Sequence, residues 1–402
     1  MKVLQINCVY PKGSTGKLTQ DLHRELMARG AESRVFYGRG ATLREKGVRK
    51  LCPEWYAKGN KLISILRGIP YGGCLLSTWY LMILIRREKP DVVHLQCING
   101  HFVNQYALIR WLKKRRQKTV LTLHAEFPYT ANCAHALDCE KWQTGCGDCP
   151  RWRQETGSLF RDRTEESFRK IHRAYGGFAR DLTVVSVSGW LAGRAKRSPM
   201  LQEMAHRTIY NGVDTTLFCR KAGSLPWKEQ VIFHATPLLR DDPEDLKGGW
   251  YLLELARRLE DLPVRFVVAG KYRLRGKVPE RVTLLGEIQD REALARLYSG
   301  AELTLLTSRR ETFSMVCAES LCCGTPVVGF QAGGPEEISL PQYSAFVPFG
   351  DLAALEQEVR QWLAMPKQKA QISREACCRY RTERMAAEYW QLYREIADEQ
   401  RS

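Results

Sequence analysis

Short, unbroken apolar runs recur along this chain, each followed by a stretch with helical periodicity, and no feature restricts the possible folds more. VLQINCV (3–9), SRVFYG (33–38), DVVHLQ (91–96), TVLTLH (119–124) and LTVVSVS (182–188) form a first series. VIFHAT (231–236), VRFVVAG (264–270), VTLLGEI (282–288), LTLLT (303–307) and PVVGF (326–330) form a second. Runs that are apolar throughout, rather than at alternate positions, suit strands buried on both faces, which is the condition of a parallel sheet covered by helices. The first intervening segment carries Leu18, Leu22 and Leu26 on one helical face. Between the series, TTLFCRKAGSLPWKEQ holds Gly223, Ser224 and Pro226 and reads as a linker. The expectation is an α/β protein of two Rossmann-like parallel-sheet domains facing a central cleft, over 1–215 and 231–375, joined by a linker at 216–230. A chain of 402 residues exceeds what one core normally supports. The tail from about Arg374, with Tyr389, Trp390, Leu392 and Tyr393, reads as an amphipathic helix. As a carboxy-terminal helix over 376–402 it either completes the second domain or packs back on the first.

A formal charge of +18 calls for an anionic partner: nucleic acid, an anionic membrane or a phosphorylated ligand. The densest basic run is Lys113, Lys114, Arg115, Arg116 and Lys118, with Arg86, Arg87 and Lys89 elsewhere. It suits either a solvated helix face or a membrane contact. Basic and aromatic residues are not gathered on any nucleic-acid-binding module, so nucleic acid is not an expected partner. The longest apolar window, 75–85, is far shorter than the roughly 20 residues a helix needs to cross a bilayer, and reads as a core or interfacial helix. The opening MKVLQINCVY runs straight into a strand pattern and does not resemble a signal peptide. A cytoplasmic protein, peripheral on the inner face of the cell membrane, is expected, with its fourteen cysteines mostly thiols. Four of these, Cys133, Cys139, Cys146 and Cys149, form C-x5-C-x6-C-x2-C, with His135 inside the cluster. A structural zinc site, two local disulfides and free thiols are the readings, and the C-x2-C half favours zinc slightly.

Chemistry concentrates in SRRETFSMVCAESLCCGTPVVG (308–329), where Glu311 and Glu319 stand eight positions apart. A strand before it, a polar turn and a helix closed by Gly324 would put Glu311 at the strand's carboxyl end and Glu319 inside the helix. Ser314 reads as an N-cap, so the amides after it suit a phosphate. Comparable positions follow other strands: Gly13 and Gly16, His124, and Gly270.

These residues, together with PDVVHLQ, TLH, VSVS, IYNGVD, Lys247-Gly248 and GGPEEI, resemble retaining glycosyltransferases of family 4, of the GT-B fold and the polysaccharide-biosynthesis type. The resemblance implies a nucleotide-sugar donor and a glycan or lipid-linked oligosaccharide acceptor, as in exopolysaccharide, lipopolysaccharide or capsule synthesis, with no cofactor required for catalysis. It implies that Lys247 meets the diphosphate, with Arg240 as partner across a longer spacing that DDPED accounts for. Phe313, Ser314 and Met315 would add contacts to phosphate and sugar, and Glu319 would hold the ribose hydroxyls. Glu311 and His124 would stand by the transferred sugar, Gly16 by the phosphates or acceptor, and Ile288 beside the base. Ser314 occupies a position where glycine is usual, and the shifted proline in GGPEEI matches Glu337 rather than Glu336 to the usual carboxylate. The alternatives are a GT-B sugar-nucleotide epimerase or hydrolase and, from another class, a basic nucleic-acid-binding protein.

Overall fold

The computed structural model describes residues 1–398, which divide into two compact units: Met1–Tyr210 together with the chain from Met385, and Asn211–Arg384. The first unit is built on β1 (Lys2–Val9), β2 (Glu32–Arg39), β3 (Val48–Lys50), β4 (Val92–Leu95), β5 (Thr119–Leu123), β6 (Leu182–Ser186) and β7 (Ala205–Thr208). These pair in parallel in the order β3-β2-β1-β4-β5-β6-β7. Val3, Leu4, Val92, Val93, Val120 and Leu121 are fully buried, as strands covered on both faces must be. Helix α1 (Gly13–Ala28) sets Leu18, Leu22 and Leu26 against Val3, Val92 and Val120. Two further helices, α2 (Glu54–Arg67) and α3 (Leu75–Glu88), lie between β3 and β4 in the chain, α3 holding the longest apolar window. Among the described residues no helix is long and apolar enough to cross a membrane.

The tail differs from a single helix. It forms two, Lys369–Tyr380 and Thr382–Asp398, because Arg381 leaves the helical conformation to pair with Val213. The Val213 amide donates to the Tyr380 carbonyl at 2.7 Å, and the Thr382 amide donates back to Val213 at 3.1 Å. The last helix enters the core of the first unit with Met385, Tyr389, Leu392, Tyr393 and Ile396. A polar chain runs through that contact. Tyr393 Oη lies 2.7 Å from His94 Nδ1, His94 Nε2 lies 2.7 Å from Thr122 Oγ1, and Thr122 Oγ1 lies 2.8 Å from Tyr389 Oη. Burial pushes the His94 pKa down to about 3, so the ring is neutral and each nitrogen has a partner.

The second unit contains β8 (Gln230–Arg240), β9 (Val264–Arg273), β10 (Val282–Gly286), β11 (Leu303–Leu306), β12 (Val327–Phe330) and β13 (Ser344–Val347), all parallel in the order β10-β9-β8-β11-β12-β13. Strands β8 and β9 extend beyond their apolar runs, through a register irregularity between Ala235 and Leu238, to pair Arg240 with Arg273. Gly270 sits inside that irregularity at φ +140°, and a Cβ there would lie 1.8 Å from the Thr236 carbonyl oxygen.

Candidate active site

In each sheet the strand order reverses beside the first strand, so that β1 lies between β2 and β4, and β8 between β9 and β11. At such a switch point the loops leaving neighbouring strands diverge, and a ligand crevice opens at the carboxyl ends.

In the second unit the loop after β8 carries Lys247 and the loop after β11 carries Glu311, and Lys247 Nζ donates to Glu311 Oε1 at 2.5 Å. Both side chains are partly exposed. The lysine is aimed by its backbone: its amide donates to Asp245 Oδ2 at 2.9 Å and its carbonyl accepts from Thr307 Oγ1 at 3.1 Å. Gly248 then turns the chain into a helix at φ +65°, and a Cβ there would sit 2.0 Å from the Thr307 carbonyl oxygen, so only glycine fits. Glu311 is held on both sides, its amide donating to Ala332 and its carbonyl accepting from Gly334, each at 2.9 Å.

Ser314 caps the helix Met315–Cys322, its hydroxyl accepting from the Cys317 amide at 3.3 Å. Its φ of +75° is unusual for a residue with a side chain. This backbone explains why a glycine suits the position. The first amides of the helix, at Met315 and Val316, lack intrahelical acceptors, the condition under which a helix start can receive an anion. Glu319 lies one turn further in. Burial pushes its carboxyl up to about 7, against the opposing charge of Arg291 and a long hydrogen bond from Tyr298 Oη at 3.5 Å. Arg240 is exposed at the end of β8, 3.8 Å from Asp245, the carboxylate that also fixes the Lys247 backbone. Ile288 is half-buried in the loop between β10 and the helix Arg291–Gly300.

In the first unit His124 follows β5, half-buried, with Nε2 2.8 Å from Gln96 Oε1 at the end of β4. Gln96 in turn donates to Gln5 Oε1 at 2.9 Å. As the amides are assigned, this orients the Gln96 oxygen to accept from His124 and selects the Nε2–H tautomer. Burial pushes the His124 pKa down to about 4, so the ring is neutral at ordinary pH. Gly13 starts α1 at φ +72° in open space, whereas Gly16 packs against the strand it follows, a Cβ there reaching Pro11 at 3.1 Å and Val9 at 3.3 Å.

The family described as Glycosyltransferase Family 4 matches residues 15–217, half of the chain, and that described as Glycosyl transferases group 1 matches residues 242–377. This chain belongs to that family of glycosyltransferases. Among curated proteins it is similar to the putative colanic acid biosynthesis glycosyl transferase WcaC of Escherichia coli, 22% identical over 98% of this chain and 100% of the relative. Its fold is similar to that of sucrose-phosphate synthase from Thermosynechococcus elongatus, with TM-score 0.70 and 17% identity over 98% and 99% of the two chains. It is also similar to Anabaena HepE, solved in complex with UDP-glucose, with TM-score 0.60 and 16% identity over 98% and 100%. The fold is GT-B.

In this glycosyltransferase Lys247, Glu311 and Ser314 come from the two loops at one switch point, Met315 and Glu319 from the helix that follows the second loop, and Arg240 joins them through Asp245. Phe313 is buried and packs edge-on to Tyr380, so its side chain serves the core while its backbone stays in the loop. In GGPEEI it is Glu336 that secures the loop beside Glu311, accepting from the amides of Ala332 at 3.0 Å and Gly333 at 2.8 Å. Asp245, Gln96, Tyr298 and Glu336 were not singled out from the sequence. Gln96, closing a buried strand, was the most visible of them.

All fourteen cysteines are free thiols. Cys133, Cys139, Cys146 and Cys149 share one insertion, yet among the described residues no group of three or more His, Cys, Asp or Glu side chains is set to hold a metal. As placed they do not fit a closed tetrahedral site. With no metal bound, burial pushes the Cys133 and Cys146 thiols up to about 12. The insertion is anchored instead by Glu126, fully buried, which accepts from Tyr129 Oη and Arg194 Nε at 2.6 Å each and from the Ala136 amide. Arg194 also lies over the rings of Trp142 and Trp190 at 4.9 and 5.3 Å.

Proposed function

We propose that this glycosyltransferase moves a sugar from a nucleoside-diphosphate sugar to a growing lipid-linked polysaccharide, with retention of anomeric configuration. The observation that carries the reading is the Lys247–Glu311 pair at a switch point, beside the open end of the helix that bears Glu319. On donor entry the diphosphate competes for Lys247 and meets the Met315 and Val316 amides. These groups stabilise charge that develops as the anomeric carbon–oxygen bond breaks. The bonding pair goes to the departing phosphate oxygen, which takes the acceptor's hydroxyl proton on the same face as the acceptor oxygen bonds to carbon. Lys247 supplies the positive charge at the diphosphate, so the reading requires no metal, and transfer should persist in EDTA. Glu311, released from Lys247, turns to the sugar. Glu319 accepts both ribose hydroxyls in its ionised form, which the diol stabilises against the carboxyl's raised pKa.

The UDP-glucose held by HepE supports a nucleoside-diphosphate donor, and the colanic acid relative supports a polysaccharide acceptor. The acceptor's lipid would place the work at the cytoplasmic face of an anionic membrane. Incubation with a panel of UDP- and GDP-sugars, following nucleoside diphosphate with and without lipid-linked acceptor, tests the reading. Acceptor-dependent release with an α-to-α product is expected from an α-linked donor. Equal release without acceptor would identify a hydrolase, and an isomerised sugar an epimerase. Lys247→Ala should lower transfer by about 10²–10³-fold, and a variant as fast as wild type would remove the lysine from the mechanism.

A further inference from the structure

Ten of the fourteen exposed large apolar side chains among the described residues lie in three short segments of the first unit: α2, the first half of α3, and Leu159–Phe160. Scattered apolar surface is ordinary, whereas a concentration of this kind marks an interaction face. On α2 the outward positions Trp55, Leu62 and Leu66 share one stripe, while Ala57, Asn60 and Ser64 face inward, so most of the large apolar side chains of this helix, Trp55, Leu62, Ile63 and Leu66, sit on its solvent side. Trp55 is 74% exposed, Leu76 72%, Phe160 68% and Trp79 65%, values at which burial in the unit's own core contributes little.

The segments form one surface. Tyr56 Oη accepts from the Leu76 amide at 3.2 Å, Asn60 Oδ1 accepts from the Cys74 amide at 2.7 Å, and Arg163 Nη1 donates to the Arg67 carbonyl at 2.9 Å. Lys58, Lys61 and Arg67 are exposed on α2 among the apolar residues. The helix's sole carboxylate, Glu54, is engaged by Arg39 at 2.9 Å. The basic run after Trp111 lacks this character: Lys113 Nζ donates to the Gly176 carbonyl at 2.6 Å, Lys118 pairs with Asp181 at 3.3 Å, and Arg115 lies over Trp111 at 5.7 Å.

We infer that α2, the start of α3 and the 158–160 loop form a docking face for an anionic lipid surface, with Trp55, Leu66, Leu76, Trp79 and Phe160 entering the headgroup–acyl boundary while Lys58, Lys61 and Arg67 stay at the phosphates. Tryptophan with an apolar body and a polar edge, interleaved with long cationic side chains, suits that boundary. A second copy of the chain would bring the same three cations against themselves in a symmetric contact, which disfavours self-association. The lipid partner extends the membrane-side acceptor reading above and rests on it only for its purpose, because docking is read without any sugar transfer.

Flotation of the full chain with phosphatidylcholine vesicles, with and without phosphatidylglycerol, tests the face. Wild type should float with the anionic vesicles, less strongly as salt rises. Trp55→Ser with Leu66→Ser, and separately Leu76→Ser with Trp79→Ser, should each weaken binding on the order of tenfold or more. Lys58→Glu with Lys61→Glu should abolish the preference for phosphatidylglycerol, and Lys113→Ala with Arg115→Ala should leave binding within roughly twofold of wild type. Brominated acyl chains should quench wild-type tryptophan emission more than that of either apolar variant. All substituted apolar side chains are exposed, so unchanged thermal midpoints will show that the variants fold. Failure of wild type to float, equal flotation of the apolar variants, or a lipid-free dimer that those variants dissociate would overturn the assignment.

Discussion

Replacing Glu319 by glutamine should stabilise the protein above neutral pH while weakening donor binding. The folded carboxyl titrates at about 7 against an ordinary value of 4.5. Between those values the folded protein holds a proton that the unfolded chain has released, so stability falls as pH rises through that window and the cost is complete above about 7. At about 1.36 kcal/mol per pKa unit the ceiling is roughly 3 kcal/mol. The side chain is partly accessible, so about 1–2 kcal/mol is the working expectation. Glutamine imitates the protonated carboxyl at every pH. Thermal unfolding of ligand-free protein at about pH 8.5 should therefore show Glu319→Gln melting some 2–8 °C above wild type, with the two converging near pH 5. Titration with the accepted sugar nucleotide should show weaker binding, because an amide offers the ribose diol one acceptor where the carboxylate offers two. A variant less stable than wild type at both pH values would refute the electrostatic reasoning, and undiminished donor affinity would refute the ribose role.

Glu126→Ala should cost about 3–5 kcal/mol, because it leaves Arg194 buried without its carboxylate, and differential scanning calorimetry would register the loss. Ser314→Gly should stabilise by about 1 kcal/mol through relief of a positive φ, since glycine caps nearly as well, while Ser314→Ala should destabilise by about as much in chemical denaturation. Gly248→Ala should reduce both stability and transfer, as its methyl group would meet the Thr307 carbonyl oxygen and push Lys247 off its line to the diphosphate; a fully active variant would contradict the steric argument.

The central strands were legible because being buried on both faces demands uninterrupted apolar sequence, as in Val3–Leu4 or Val92–Val93. Strands β3 and β13 were not, since VRK and SAFV are short and polar at one end, and take their conformation from the neighbour they pair with. Glu311 could be found because it follows a strand's carboxyl end, and Lys247 through the family resemblance that Lys247-Gly248 helps to carry. Their positioning partners Asp245 and Thr307 depend on how two loops meet across the sheet, which local sequence does not encode. The raised carboxyl of Glu319 is likewise a property of its surroundings. On α2 and α3 the periodicity identifies which residues share a face, but an apolar stripe reads the same whether it points to a core or to solvent.

The helix Thr382–Asp398 has a consequence for biosynthesis. Tyr389 and Tyr393 complete a core that begins with Val3, and they leave the ribosome only after the whole of the second unit, 211–384. Until that helix has emerged the first unit's sheet lacks its cover, with Val3, Val120 and Val185 open at that contact and His94 without its tyrosine partner. The second unit, contained in 211–384, has its whole sequence available earlier. Proteins of several domains ordinarily fold from the amino terminus onward as they are made. Here the unit synthesised first is the one finished last, and an amino-terminal fragment ending before Met385 would expose apolar surface for which the intact chain holds the cover.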